Sequence, residues 1–167
     1  MSSCASLGTK TIYEIPEYRE KIKKSKIIIF SPELIGFKNN EINLTTNNYF
    51  KVLTEFCNSK NISYSIFKDT YIEFDSINFD NDLIYNDVDA KYMLVGQVQP
   101  IVVLGQRGDI KVNYKIYEIT NKKLVIHTRF NTAFGKTYFL FIPTYDKIVK
   151  DAIKSGLHNI DNIYFKD

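Results

Sequence analysis

Lys26-Ile27-Ile28-Ile29-Phe30-Ser31 is followed, beyond Pro32, by Thr46-Asn47-Asn48-Tyr49-Phe50-Lys51-Val52-Leu53-Thr54-Glu55-Phe56-Cys57 and then by Ile62-Ser63-Tyr64-Ser65-Ile66-Phe67. The unbroken apolar centre of the first stretch is what a strand buried on both faces requires. In the second, Tyr49, Val52, Leu53, Phe56 and Cys57 fall at i, i+3, i+4, i+7 and i+8, so one face of a helix from about Thr46 to Lys60 is apolar. Thr45 or Thr46 can accept a backbone N–H as its N-cap. The third stretch alternates as a strand should. Strand, helix, strand is a βαβ unit, whose crossover is almost always right-handed.

Downstream the pattern changes to β-rich. Tyr92–Leu104, Ile110–Ile119 and Leu124–Phe134 read as three strands separated by Gly105-Gln106-Arg107-Gly108 and Thr120-Asn121-Lys122-Lys123. Connections that short make neighbours antiparallel. Ile110, Val112, Tyr114 and Ile116 share one face of the middle strand, and Lys111, Asn113, Lys115 and Tyr117 the other. One buried and one wetter face are expected. Between the two halves, residues 68–90 are acidic; Tyr71–Phe74 suits extended chain and Asp82–Asn86 a short helix. A last helix begins near Thr144, with Asp146 in its first turn and Ile148, Val149, Ala152, Ile153 and Leu157 facing a core. Gly156 is expected to weaken its end, which His158 follows.

The sum is a mixed α/β (α+β) fold: a mixed sheet with an N-terminal βαβ unit, three antiparallel strands, and a C-terminal helix packed on the sheet. The 167 residues suit one domain, assigned here to 26–167. Residues 1–25, polar and carrying Pro16, read as a tether or loosely packed lead-in, with one turn of helix near 17–24. No apolar run approaches the ~18 residues of a membrane-spanning helix. The net charge of +3 comes from 22 basic and 19 acidic residues, well mixed, and the one dense basic run, 21–26, leads into the first strand. Nucleic-acid binding wants a stronger clustered excess, so none is expected.

Chemistry-bearing patterns are sparse. His127 and His158 have no second His or Cys at metal spacing, so no metal is expected. A small hydrolase using His127 would need an acid and a hydroxyl beside it. Asp80, Asp82, Asp87 and Asp89 lack the glycine and terminal glutamate of a calcium loop. Gly105–Gly108 opens no helix, and is a turn rather than a phosphate cradle. No cofactor motif appears. The row Lys111, Asn113, Lys115, Tyr117 is the candidate binding face; stacked single-stranded nucleic acid is the alternative occupant.

Cys57 belongs to the apolar helix face. Cys4 sits in Ser2-Ser3-Cys4-Ala5-Ser6, small residues like those at the end of a bacterial lipoprotein signal, although the apolar stretch of a secretory signal is absent before it. Lipidation, an incidental thiol and a disulfide to Cys57 all remain open. Lipidation leaves Cys57 safely unpaired.

Ala90-Lys91-Tyr92-Met93-Leu94-Val95-Gly96-Gln97-Val98 resembles the A-D-Y-V-L-V-G-x-V strand of bacterial envelope lipoproteins: the penicillin-binding-protein activators, the curli secretion lipoprotein and the N-terminal domain of the Tol translocation protein. The hairpin over 110–125 resembles theirs, and the order of elements matches over about 26–158. Lys91 stands where the aspartate is usual, and Lys122 or Lys123 where the turn glycine is. The resemblance implies a non-catalytic, lipid-anchored module on the periplasmic side of a bacterial membrane, the outer membrane foremost. Its partner would be an envelope protein, and Cys4 its link to the membrane.

Overall fold

The computed structural model describes residues 8–79, 84, 87, 89–103, 106–131 and 144–164. In chain order the elements are β1 (Gly8–Glu14), a 3-10 turn (Pro16–Tyr18) running into α1 (Arg19–Lys23), β2 (Lys26–Ser31), β3 (Glu33–Leu34), α2 (Asn39–Ser59), β4 (Tyr64–Tyr71), β5 (Ala90–Val103), β6 (Gln106–Glu118), β7 (Lys123–Asn131) and α3 (Tyr145–Tyr164). The strands form one mixed sheet in the order β1-β7-β6-β5-β2-β4, with β3 beside β5. The expected fold class is the observed one: crossover unit and hairpin strands share a sheet, and α3 packs on it.

β2 is the hinge of the arrangement. It runs parallel to β4 on one side and to β5 on the other. Ile27 and Ile29 enter a core with α2 and α3, while Ile28 and Phe30 enter a second core on the opposite face. Every residue of the apolar run is therefore covered, which is why no alternation was needed. The second cover comes from the acidic segment after β4: Ile72, Phe74 and Ile84 are buried against Met93, Val95 and Ile119. Of the short helix expected over 82–86, only residue 84 lies within the described residues.

Several boundaries differ from expectation for identifiable reasons. α2 begins at Asn39, not Thr46, because Glu41 Oε2 accepts the Lys38 N–H at 2.7 Å and caps the earlier turn. α3 begins as expected, with Thr144 Oγ1 accepting the Lys147 N–H at 3.4 Å. It does not weaken at Gly156, and residue 158 lies inside the helix rather than beyond it. Gly156 has another use: a Cβ there would stand 2.9 Å from Tyr114 Cε2, so its bareness lets α3 lie close on β6. The β6–β7 turn holds Lys122 at φ 53°, a left-handed position normally favouring glycine.

Residues 8–25 are not a tether. Gly8–Glu14 pairs antiparallel with β7 as the sheet's edge, and Tyr18 and Ile22 are buried in the main core. The remainder of the expected tether, including Cys4, lies outside the described residues.

Gly96 on β5 sits under the fully buried Tyr49 ring; a Cβ at 96 would fall 2.6 Å from Tyr49 Cε2. Gly96→Ala should therefore cost about 1–3 kcal/mol, read as a lower urea midpoint with an unchanged slope. The Tyr49 hydroxyl is buried with no hydrogen-bond partner. Tyr49→Phe should accordingly be neutral or stabilising, and should recover part of the Gly96→Ala loss; a destabilising Tyr49→Phe would contradict this packing.

Candidate functional site: the second face of β5, β6 and β7

Register fixes which side chains meet on the face away from α2 and α3. Gln97 pairs with Asn113, and Asn113 with Arg129; Gln99 pairs with Lys111, and Lys111 with Asn131; Lys115 pairs with His127. A hydrogen-bonded chain crosses the strands. Arg129 Nε donates to Asn113 Oδ1 at 3.1 Å, and Asn113 Nδ2 to Gln97 Oε1 at 2.8 Å. Gln97 Nε2 donates to Glu33 Oε2 at 2.7 Å, and the Tyr71 hydroxyl to Glu33 Oε1 at 2.9 Å. Asn113 and Gln97 are buried, so the chain supplies the partners their amides need away from water.

The row expected to be a wetter surface is mostly covered. Asn113 is 2 % exposed and Lys115 9 %. Lys115 Nζ donates to the Phe74 carbonyl at 2.8 Å and reaches Asp75 Oδ1 at 3.2 Å, with the Phe74 ring 4.1 Å below it. Tyr117 is half-buried against the Phe79 ring, centroids 5.6 Å apart. Burial raises the Tyr117 hydroxyl to about 12, with Asp75 adding to the effect. The segment 72–79 is thus strapped over one half of the face, and Lys115 is its fastening. Only Lys111 of the four keeps partial access at the open half, where Arg129, not anticipated from sequence, is exposed beside it.

His127 is half-buried at the border of strap and open half, its ring edge-on to Phe74 at 5.8 Å and its Nε2 buried without a partner. Burial lowers its pKa; Lys115 and Arg129 lower it further, against a smaller opposite pull from Asp75. Thr128, the adjacent hydroxyl, is buried on the opposite face with α3. Among the described residues, His127 therefore has no hydrogen-bonded acid and no hydroxyl aligned for attack. No group of three or more His, Cys, Asp or Glu converges among the described residues in a way that could hold a metal.

The remaining sequence candidates are accounted for locally. Asp87 takes Lys26 at 2.6 Å and the Ser65 hydroxyl, and those two hydrogen bonds, Lys26 first, lower its pKa; it ties β2 and β4 to the start of β5. Asp89 is exposed, and Asp80 and Asp82 lie outside the described residues. Cys57 is buried as a free thiol, and burial pushes its pKa up to about 12. Among the described residues no helix is long and apolar enough to cross a membrane.

With that geometry in hand, comparison with known proteins gives a likeness of fold. No family model matches the sequence, and no curated protein matches it at a significant level. Among solved structures the chain is similar to PelC from Paraburkholderia phytofirmans, a dodecamer, with a TM-score of 0.60 and 9% identity over 95% of this chain and 98% of that one. It is also similar to the hypothetical protein CT253 from Chlamydia trachomatis, at TM-score 0.50 and 6% identity, covering 86% and 99% of the two chains. The C-terminal domain of LpoB from Salmonella enterica matches more loosely, at TM-score 0.38 and 10% identity over 71% and 95%. The first two likenesses establish a shared fold across nearly the whole chain; the third is too loose to add to them.

Two outcomes follow from the fastening and from the histidine. Lys115→Met keeps the stem but removes the ammonium, and should cost about 1–3 kcal/mol while speeding hydrogen exchange over residues 72–79 and leaving α2 and α3 protected. Unchanged exchange in that segment would show that Lys115 does not hold it. His127 should titrate below the ordinary imidazole value of about 6.5 in an NMR titration, and Arg129→Gln should raise it. Because the native ring gives up its proton at lower pH than the unfolded one, this residue makes stability rise with pH from its folded pKa up to about 6.5.

Proposed function

We propose that this chain is a non-catalytic, protein-binding module of the bacterial cell envelope, held on the periplasmic side of a membrane, foremost the outer membrane, by a lipid on Cys4. The observation that carries the reading is the place of that cysteine. It stands four residues ahead of Gly8, where β1 starts the edge of the sheet. Four residues of extended chain reach at most about 14 Å. An acylated Cys4 would hold edge strand β1 close to the bilayer surface, a short leash in place of a long tether.

The small residues around Cys4 and the β5 motif at 90–98 support the lipoprotein reading, and the fold shared with PelC supports an assembly role. Cys57 is a buried free thiol, so it competes poorly with Cys4 for a lipid. Among the described residues β1 and β4 end the strand order of the sheet, and β1 displays Ile12 and Tyr13, 42% and 41% exposed. Because PelC is a dodecamer, a second copy of this chain is the first partner to test. The hydrolase alternative is disfavoured by the company His127 keeps, cations on its own face and Thr128 on the other. Stacked nucleic acid is disfavoured by the burial of Asn113 and Lys115.

The gene with its own upstream region, expressed in a bacterium fed an alkynyl fatty acid, should yield a labelled, membrane-fractionating protein. Cys4→Ser should abolish the label and release the protein. Labelling that persists in Cys4→Ser, or no label in the wild type, would refute the anchor. Native mass spectrometry of the protein should show assemblies above the monomer if the partner is a second copy.

A further inference from the structure

The open half of the second face carries polar nitrogen groups whose charge is left uncompensated. Arg129 is positioned by a neutral acceptor, Asn113, itself held by Gln97, so its guanidinium is oriented without being neutralised. Lys111 adjoins it on β6, half-buried. Among the described residues, no carboxylate lies within ion-pairing distance of either. Burial lowers the pKa of Lys111, and Arg129 lowers it further, against a weaker pull from Asp75. Next to this pair, His127 Nε2 and Asn131 Oδ1 are buried without partners. The nearby acids are engaged: Asp75 with Lys115, Glu33 with Gln97 and Tyr71, and Asp109, two positions before Lys111, with a contact of its own.

Two like charges at a half-buried surface repel, and an anion placed between them relieves that cost. A guanidinium fixed through Nε still has its terminal nitrogens to offer, in a planar fork that matches a carboxylate. We propose that Lys111 and Arg129 anchor an acidic segment of a partner protein, laid across β6 and β7. One of its carboxylates pairs with Arg129, and the next lies against Lys111 beside His127. The inference rests on the protein-binding reading above and names the chemistry of the partner at that site. An amide-oriented fork favours a discrete carboxylate over a lipid surface, to which two cations give only a weak, salt-screened attraction. Asn113 and Gln97 act here as positioning residues, holding Arg129 rather than touching the partner.

The test titrates isotope-labelled protein with an octaglutamate peptide, followed by NMR and calorimetry at low and moderate salt. Saturable shifts at Lys111, Arg129 and His127 are expected, with a raised His127 pKa in the complex. Arg129→Gln and Lys111→Gln should each weaken binding about tenfold, while Lys154→Gln on α3 should not change it. Asn113→Ala should weaken it too, and Asn113→Asp should weaken it further, by neutralising Arg129. No saturable shift, equal weakening by Lys154→Gln, or tighter binding to phosphatidylglycerol vesicles or to polygalacturonate than to the peptide would each overturn the proposal. Failure here with Cys4 still acylated removes the acidic anchor and leaves the envelope module standing; peptide binding with no acylation does the reverse.

Discussion

Four consecutive apolar side chains, Ile27 to Phe30, cannot be buried by a sheet covered on one side alone. Alternate residues of a strand point to opposite faces, so the sheet must be covered twice at β2. On one side the cover is two amphipathic helices. On the other it is an acidic connection that delivers Ile72, Phe74 and Ile84 to the sheet and leaves Glu73, Asp75 and Asp89 at the surface. Much else in the molecule follows from that requirement. Among the described residues, the segment 72–79 lies over β5 and the Lys115–Tyr117 part of β6, fastened by Lys115 and touching β7 at His127, while Lys111 keeps partial access and Arg129 is exposed. The second face is divided into a sealed half and an open half, and the polar residues of β6 have different duties according to which half they occupy.

The division explains why a single alternating strand carries such unlike side chains. Tyr117 packs under an aromatic ring, Lys115 fastens the strap, Asn113 relays a hydrogen bond between strands, and Lys111 remains partly open. A buried lysine is tolerated because its ammonium finds a carbonyl, a carboxylate and a ring face together. The amide chain from Arg129 to Glu33 gives the sheet a graded row, basic beside β1 and acidic beside β3, with neutral amides between. Such networks specify register, because a one-residue slip of β6 would turn Asn113 and Lys115 into the helix core and expose Val112 and Tyr114.

Much of the fold was legible from periodicity. The helix face of α2, the buried run of β2 and the alternation of β6 each belong to one element, and each is a local signal. What was not legible depended on partners distant in sequence. β1 is a polar edge strand with little apolar patterning, so Gly8–Glu14 gave no strand signal beyond an unremarkable Thr/Lys alternation. The second face of β6 could be recognised, but not what lies on it, because Ile72, Phe74 and Ile84 are spaced irregularly among acids. Arg129 became a site residue only when register set it against Asn113. Gly156 looked like a helix terminator, and its purpose is visible only with Tyr114 beneath it.

The second face is sealed over Lys115 and open at Lys111. Amine acetylation of the native protein, timed by mass spectrometry, reads both residues in one experiment. Lys115 should acetylate far more slowly than the exposed Lys51 and Lys123, and reach their rate only on unfolding, while Lys111 reacts in the native state. Equal native reactivity at Lys115 and Lys123 would mean that nothing covers the sheet there, and the division of the face would be wrong.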